Sequence, residues 1–396
     1  MLLYLTPSNI FMKRKLRMGM IGGGNNAFIG AIHRLAANMD GLIELSCGAF
    51  SSNPDTAKAS GKSLLLPDNR VYTSYEEMIK NERSLTENDR MDFVSIVTPN
   101  HAHIGPALMA LDNGFHVVIE KPMTFTLDEA KQLQQKVKET GLTLALTHTY
   151  AGYPMVKQAR EMVKSGALGK VRKIYVEYPQ GWLSQLSEKE GNAQAAWRTD
   201  PRRSGKSGCM GDIGTHAAHL AEYVSGLKIT QICADLNIVV EGRALDDDGA
   251  VLLRFDSGAT GVLMASQVAA GEENALKLRI YGEKGGIEWQ QMEPNTLLVK
   301  WLDQPTQVYR AGQGYLSSFA RFNTRTPGGH PEGYIEAFAN IYRSFALTLD
   351  AKINGNVPTP EMLDFPGVDE GVRGMAFIEN VVASSQSSQK WTSFSI

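Results

Sequence analysis

Cysteine is scarce in this sequence: Cys47, Cys209 and Cys233 are the only three in 396 residues. They stand far apart with no paired spacing, so neither a disulfide framework nor a zinc knuckle is expected. A reducing cytoplasm is the simplest home. A dominant sign of charge is also missing. Forty Lys and Arg set against 42 Asp and Glu leave a formal net charge of −2, which argues against nucleic acid or an anionic membrane as the main partner. The one basic cluster, MKRKLR at residues 12–17, reads as a solvated lead-in to the first strand. No apolar run reaches the length that a membrane span needs. The apolar opening MLLYLTPSNIF lacks a basic start and carries an early proline, so it is not read as a signal peptide. We expect an N-terminal extension over residues 1–16, with Met12 or Met18 as an alternative start.

What is present is ordinary globular material, 43% hydrophobic and 21% charged. At about 150 residues per domain the length suggests two or three domains. Residues 16–148 alternate between strand and helix patterns. LRMGMI (16–21), LIELSCGAF (42–50), FVSIVTP (93–99), HVVIEKP (116–122) and LTLALTH (142–148) read as strands. AFIGAIHRLAANM (27–39), HIGPALMALDNG (103–114) and LDEAKQLQQKVKETG (127–141) read as helices. Strands spaced by helices of this length form βαβ units, so residues 17–148 are expected to be an α/β Rossmann domain with a mostly parallel sheet.

The first strand-to-helix turn is IGGGNNAFIG (21–30). Glycines there let the backbone approach a pyrophosphate, and the helix N-terminus behind them favours negative charge. The spacing departs from G-x-G-x-x-G: Gly22 and Gly24 fit, but Ala27 stands where the third glycine belongs. Candidate cofactor positions in this turn are Gly22, Gly24, Asn25, Ala27 and Phe28. At the end of the second strand an acid would select NAD and an arginine NADP. Ser51 and Ser52 stand there instead, and with no Lys or Arg adjacent the reading leans to NAD over NADP.

Beyond residue 148 the pattern changes. A helix over 153–169 and a strand over 171–179 precede a Gly-, Ser- and charge-rich stretch. Strands at 229–240, 249–258, 259–269, 275–285 and 286–291 then follow without intervening helices. Asp-Ser-Gly and Glu-Lys-Gly-Gly look like hairpin turns, and a last helical pair spans about 332–349 and 369–385. Residues 149–396 are therefore expected to form an α+β substrate-binding domain on a large open, mainly antiparallel sheet. An uncovered sheet face favours self-association into a homodimer or homotetramer.

Three motifs occur in order: the glycine turn, TPNHAH with GFHVVIEKPM (98–123), and WRTDP followed by GDIGTH (197–216). Together they resemble the Gfo/Idh/MocA family of NAD(P)-dependent oxidoreductases, which act mainly on sugars, cyclitols and related polyols. The resemblance implies Lys121, Asp212 and His216 as catalytic residues. It implies Thr98, Pro99, Asn100, His103 and Glu120, with Lys121, on the nicotinamide side of the cofactor site. Members often carry an aspartate three residues after the catalytic histidine, where this chain has His219.

Such chemistry needs a hydride acceptor and a group that takes the hydroxyl proton. A histidine titrates near neutrality, so His216 suits base and acid roles. Asp212 can orient the imidazole or hold substrate, and the Lys121 ammonium can stabilise alkoxide character. His148, Tyr153, Trp197, Arg198 and His219 are expected to bind substrate, a sugar, glycoside or inositol-like polyol. Asp212, His216 and His219 have ligand chemistry for zinc or iron, but nicotinamide redox needs no metal and none is expected. Two other readings fit the same pattern: a glycosidase using held NAD for transient oxidation, and a dinucleotide-binding sensor without catalysis.

Overall fold

The computed structural model describes residues 12–25 and 27–396; residues 1–11 of the expected extension lie outside them. The chain forms two compact units, the first from residues up to Thr149 together with Tyr334–Val372, the second from Tyr150–Gly333 with Arg373–Ile396.

The first unit begins with β1 (Leu16–Gly22), α1 (Phe28–Asn38) and β2 (Ile43–Ala49). Residues 51–92, given no element from sequence, include α2 (Pro54–Ser63) and α3 (Tyr75–Ser84). Both have side-chain N-caps, from Asn53 to the Thr56 amide and from Ser74 to the Glu77 amide. Then come β3 (Phe93–Val97), α4 (Ile104–Asp112), β4 (His116–Ile119), α5 (Leu127–Thr140) and β5 (Leu144–Leu146). The five strands lie in the order β2-β1-β3-β4-β5, every pair parallel. The order reverses direction at β1, with β2 on one side and β3 on the other. Ligands bind beyond the carboxyl ends of strands at such a switch point. The glycine turn follows β1, the TPNHAH loop β3, and Lys121 follows β4, all at that edge.

The second unit opens with α6 (Pro154–Lys164) and β6 (Val171–Pro179), then α7 (Ala193–Arg198), α8 (Pro201–Ser204) and α9 (Thr215–Ser225). Seven strands follow: β7 (Ile229–Asn237), β8 (Asp248–Phe255), β9 (Thr260–Ser266), β10 (Lys277–Gly282), β11 (Gly285–Gln290), β12 (Thr296–Trp301) and β13 (Gln307–Arg310). After α10 (Ser318–Phe322) come α11 (Tyr334–Ile353), α12 (Val368–Gln386) and β14 (Thr392–Ser393). The nine-stranded sheet runs β13-β12-β11-β10-β6-β9-β8-β7-β14. It is antiparallel except where β6 lies parallel to β9. Hairpins at Asp-Ser-Gly and Glu-Lys-Gly-Gly join β8 to β9 and β10 to β11, as the sequence predicts. Strands β12, β13 and β14 extend the sheet beyond what the sequence pattern marks. One face is covered: Val251, Leu253 and Phe255 are buried while Leu252 between them is 43% exposed. Among the described residues no helix is long and apolar enough to cross a membrane.

One boundary needs correction. The expected second domain, 149–396, includes α11, but this helix packs in the first unit. Phe338, Ile341, Tyr342, Phe345 and Leu349 on α11 share one buried cluster with Leu16, Met18 and Met20 of β1 and Phe93 of β3. A parallel sheet buried on both faces needs helical cover that strand–helix alternation alone did not supply. The periodicity that reveals an apolar helix face does not say which sheet it covers.

Two histidines make stability depend on pH. His116 on β4 accepts the Thr143 amide at Nδ1 over 2.9 Å, and burial, with Lys352 nearby, lowers its pKa to about 4. Burial, aided by Lys228 and Lys157, pushes His219 down to about 3. Both sit below the ordinary 6.5. As pH falls through 6.5 the unfolded chain takes up protons that the native rings refuse, so stability is lost progressively toward pH 4. Calorimetry should show the unfolding midpoint falling over that range, with a shallower fall in His219→Asn; equal slopes in both proteins would contradict the assignment.

Candidate active site

The glycine turn is shaped for close approach of a ligand backbone. Gly22 and Gly23 adopt φ of +80° and +70°, left-handed values that side chains rarely tolerate. Gly30, one turn into α1, presses on the loop: a Cβ there would lie 2.4 Å from Gly23 Cα and carbonyl oxygen. A Cβ on Gly24 would fall 2.8 Å from Ser60 Oγ. Arg34 of α1 donates to the Gly23 carbonyl at 2.6 Å. Ser60 accepts the Asn25 amide at 3.1 Å, and Ser63 donates to the Asn25 side chain at 2.7 Å. Ala27, the N-cap of α1, supplies no side-chain cap, so the helix presents backbone amides as an anion site requires. This cradle fits a dinucleotide pyrophosphate. Gly23, Gly30 and Arg34 were not among the expected cofactor positions, though the GGG run itself marked the first. Phe28 is 66% exposed. Ser51 is half-buried and Ser52 exposed, and Ser51 Oγ accepts the Asn53 amide at 3.1 Å.

After β3, Thr98 donates its hydroxyl to the Ala102 carbonyl at 3.1 Å. Pro99 leads into a short helical turn that starts at the buried Asn100. His103 is fully buried, with Nδ1 3.1 Å from the Pro122 carbonyl and Nε2 2.8 Å from the Thr98 carbonyl. A neutral ring carries one N–H and donates to one of these carbonyls at a time, so His103 sits as a link between two strand-end loops. Burial also lowers its pKa, since a charged ring would lose its hydration.

Glu120, at the end of β4, has three hydrogen-bond donors. His33 Nε2 lies 2.9 Å and Thr147 Oγ1 2.5 Å from Oε1, and the Lys121 amide lies 3.2 Å from Oε2. Burial alone would raise the Glu120 carboxyl; the bond from His33, with Lys121 and Thr147, outweighs burial and holds it below the usual range. Lys121 is partly exposed beside it, and His148, just after β5, is buried.

In the second unit, the GDIGTH motif starts as a π-helical turn, Met210–Gly214, before continuing as α9. Single π turns widen a helix locally and recur at functional sites. Asp246 anchors this one: Oδ1 accepts the Gly208 amide at 2.9 Å, and Oδ2 accepts the Met210 amide at 2.9 Å and the Ser207 hydroxyl at 3.0 Å. Asp212 within the turn accepts from Arg198 Nε at 3.2 Å and Gln267 Nε2 at 2.9 Å. The Arg198 guanidinium also lies 4.3 Å from the Trp197 ring centroid and 5.7 Å from that of Trp182. Arg198, expected to meet substrate, is thus paired with Asp212. With Gln267, Asp246 and Asp247 it borders a small recess.

His216 is 8% exposed. Its ring meets Tyr150 edge-on at 4.8 Å between centroids and lies 6.3 Å from Tyr178. Tyr150, Tyr178 and Asn274 close a ring of hydrogen bonds: Tyr150 to Tyr178, Tyr178 to Asn274 at 2.6 Å, and Asn274 back to Tyr150 at 3.2 Å. Tyr150 is thereby locked as a wall for the imidazole. Nothing in the sequence marked these three, because they come from separate strands and loops. Two further residues expected to meet substrate lie among aromatic rings. Tyr153 is buried, stacked 6.3 Å from Tyr150 and packed 5.3 Å from Trp289, where burial of aromatic surface explains it. His219 stacks on Tyr223 at 5.6 Å along α9, three residues from His216 but with its ring packed on its own helix.

Family models match most of both units. Residues 16–148 match the oxidoreductase family with an NAD-binding Rossmann fold, and residues 156–288 match the Gfo/Idh/MocA C-terminal domain. The chain is 32% identical to an uncharacterized oxidoreductase, YfiI, of Bacillus subtilis over 97% of this chain and 98% of that protein. It is 27% identical to levoglucosan dehydrogenase of Pseudarthrobacter phenanthrenivorans over 69% of this chain and 73% of that one. An inositol dehydrogenase homolog from Azotobacter vinelandii, solved with NAD+, superposes with a TM-score of 0.92 at 34% identity, covering 97% of this chain and 98% of its own.

Two substitutions probe the supports. Gly30→Ala should clash with backbone and cost about 1–3 kcal/mol, and it should weaken NADH binding followed by fluorescence. Unchanged affinity would show that the turn tolerates widening. Asp246→Ala strips two buried amides of their acceptor, at about 1–3 kcal/mol each. Thermal unfolding should reveal that loss, whereas an unchanged midpoint would mean that the π turn holds itself.

Proposed function

The chain belongs to the Gfo/Idh/MocA family of NAD(P)-dependent oxidoreductases, and on that footing we propose that it interconverts a secondary alcohol and a ketone on an inositol-like polyol, sugar or glycoside. The observation that carries this reading is how the candidate side chains are held within each unit. Glu120 is held ionised beside Lys121, while Asp212 and His216 sit on one π-to-α helix with Tyr150 fixing the imidazole. The inositol branch draws on the similarity to the Azotobacter inositol dehydrogenase homolog, and the sugar branch on the similarity to the Pseudarthrobacter levoglucosan dehydrogenase.

The nicotinamide of bound NAD(P) supplies hydride acceptance and return. The amides around Gly22, Gly23, Gly24 and the α1 N-terminus hold the pyrophosphate, with Asn25, Ala27 and Phe28 along the loop. Ser51 and Ser52, just beyond β2, would meet the adenosine ribose with no adjacent Lys or Arg for a 2′-phosphate, which favours NAD. Thr98, Pro99, Asn100 and Glu120 shape the nicotinamide end. The Lys121 ammonium stabilises negative charge on the reacting oxygen. His216 takes the hydroxyl proton in oxidation and returns it in reduction. Asp212, preset by Arg198 and Gln267, orients the substrate hydroxyls, with His148 and Trp197 as further contacts. The open sheet face, where Leu252 and Met264 are 43% and 46% exposed, supports assembly into a homodimer or homotetramer. Three free cysteines suit a reducing cytoplasm.

Reduced-nicotinamide formation over inositols, sugars, sugar acids and anhydrosugars, with NAD and NADP separately, tests this reading. Lys121→Ala and His216→Ala should each lower kcat by about a hundredfold or more, with NADH affinity little changed in either. A blank panel from folded protein would overturn the dehydrogenase assignment. A Lys121→Ala variant that loses affinity as much as turnover would make Lys121 a cofactor anchor instead.

A further inference from the structure

Inside the first unit a chain of buried hydrogen bonds runs from the returning helix α11 to the residue before Lys121. Ser95 Oγ lies 2.8 Å from the Tyr342 hydroxyl, Tyr342 OH lies 2.6 Å from His33 Nδ1, and His33 Nε2 lies 2.9 Å from Glu120 Oε1. His33, Ser95 and Tyr342 are at most 1% exposed. One donor direction follows from chemistry. An ionised carboxylate only accepts, so His33 donates from Nε2. Nδ1 on the other side of the ring is paired with the Tyr342 hydroxyl, which is paired in turn with Ser95. Rings reinforce the order: His33 meets Phe338 edge-on at 4.7 Å, and Phe338 stacks on Tyr342 at 6.2 Å.

We propose that His33 and Tyr342 are positioning residues for Lys121, acting through the Glu120 carboxylate. Glu120 Oε2 holds the Lys121 amide, and Oε1 is held by His33 and Thr147. The carboxylate therefore fixes the backbone from which the lysine side chain departs. Its orientation is set from beneath by a hydroxyl that the chain delivers more than 200 residues later. Helix α11 thus does more than cover apolar surface: it supplies the hydroxyl that holds the His33 ring, and through it the support of the reacting ammonium. The inference rests on the catalytic role proposed above for Lys121.

The test compares Tyr342→Phe, His33→Phe and His33→Gln with Ser344→Ala, a change at a buried hydroxyl on the same helix. Tyr342→Phe keeps the ring packing and removes only the hydroxyl. His33→Gln keeps a side-chain donor for Glu120, whereas His33→Phe keeps bulk without one. With a polyol that the enzyme turns over, Tyr342→Phe and His33→Phe should lower kcat about tenfold or more, since small displacements of reacting groups are costly. KM and NADH affinity should stay near the wild type, and His33→Gln should recover most of the loss. A second readout does not need a substrate: the acetylation rate of Lys121 relative to the exposed Lys131, mapped by mass spectrometry. That ratio should change severalfold in Tyr342→Phe and His33→Phe and stay constant in Ser344→Ala. If Tyr342→Phe behaves like Ser344→Ala in both readouts, or His33→Gln is no better than His33→Phe, the positioning role is wrong. If no polyol is turned over by the wild type, the function proposed above fails, and the acetylation ratio alone decides whether this network positions Lys121.

Discussion

A parallel sheet has two apolar faces, and both must be covered before any loop at its edge can be held still. In the first unit the crossover helices are not the whole cover; α11 returns from the far end of the chain to lay Phe338, Tyr342 and Phe345 against β1 and β3. Burial of that apolar surface is the main favourable contribution, and the ligand-binding edge inherits its rigidity. The glycine turn after β1 and the Glu120–Lys121 corner after β4 both stand on strands under this cover. A hydroxyl buried with the apolar face of α11 then becomes part of the polar support beneath Glu120.

The second unit solves a different problem with the same economy. A π turn is a poor hydrogen-bonding arrangement for a helix start, and Asp246 compensates by accepting two amides and a hydroxyl of its entry. The carboxylate is itself raised in pKa by burial, against which those bonds work. With the entry fixed, Asp212 meets Arg198 and Gln267, and His216 meets the Tyr150 wall. The side chains proposed for substrate recognition and acid–base chemistry thus have few alternatives in orientation, as preorganised sites require.

The order of strands and helices in residues 16–148 was readable because apolar periodicity and glycine turns are local signals. Lys121, Asp212 and His216 stand out in the sequence through motifs whose spacing resembles the family's, and the function proposed above rests on them. The surroundings of several other candidate residues were not readable. His103 has the residue type of a ligand-lining histidine, and its burial between the Pro122 and Thr98 carbonyls follows from the fold alone. Arg198 was identified as a polar contact without its partner, which lies fourteen residues further along. Tyr153 went to the core because Tyr150 and Trp289 were there to receive it.

The sequence by itself determined the alternation that makes a Rossmann unit, the anion-friendly turn, the antiparallel character of the second sheet and the residue types available for proton and hydride chemistry. These follow from short-range sterics and periodicity, which act between near neighbours. Tertiary structure alone decided that α11 belongs to the first unit, that Tyr342 and His33 reach Glu120, that Asp246 anchors a π turn, and that Tyr150, Tyr178 and Asn274 close around His216. Each of these joins residues far apart in the chain through a hydrogen bond or a buried ring. Such pairings depend on which surfaces are left to cover once the local elements have formed, and no local pattern records that choice.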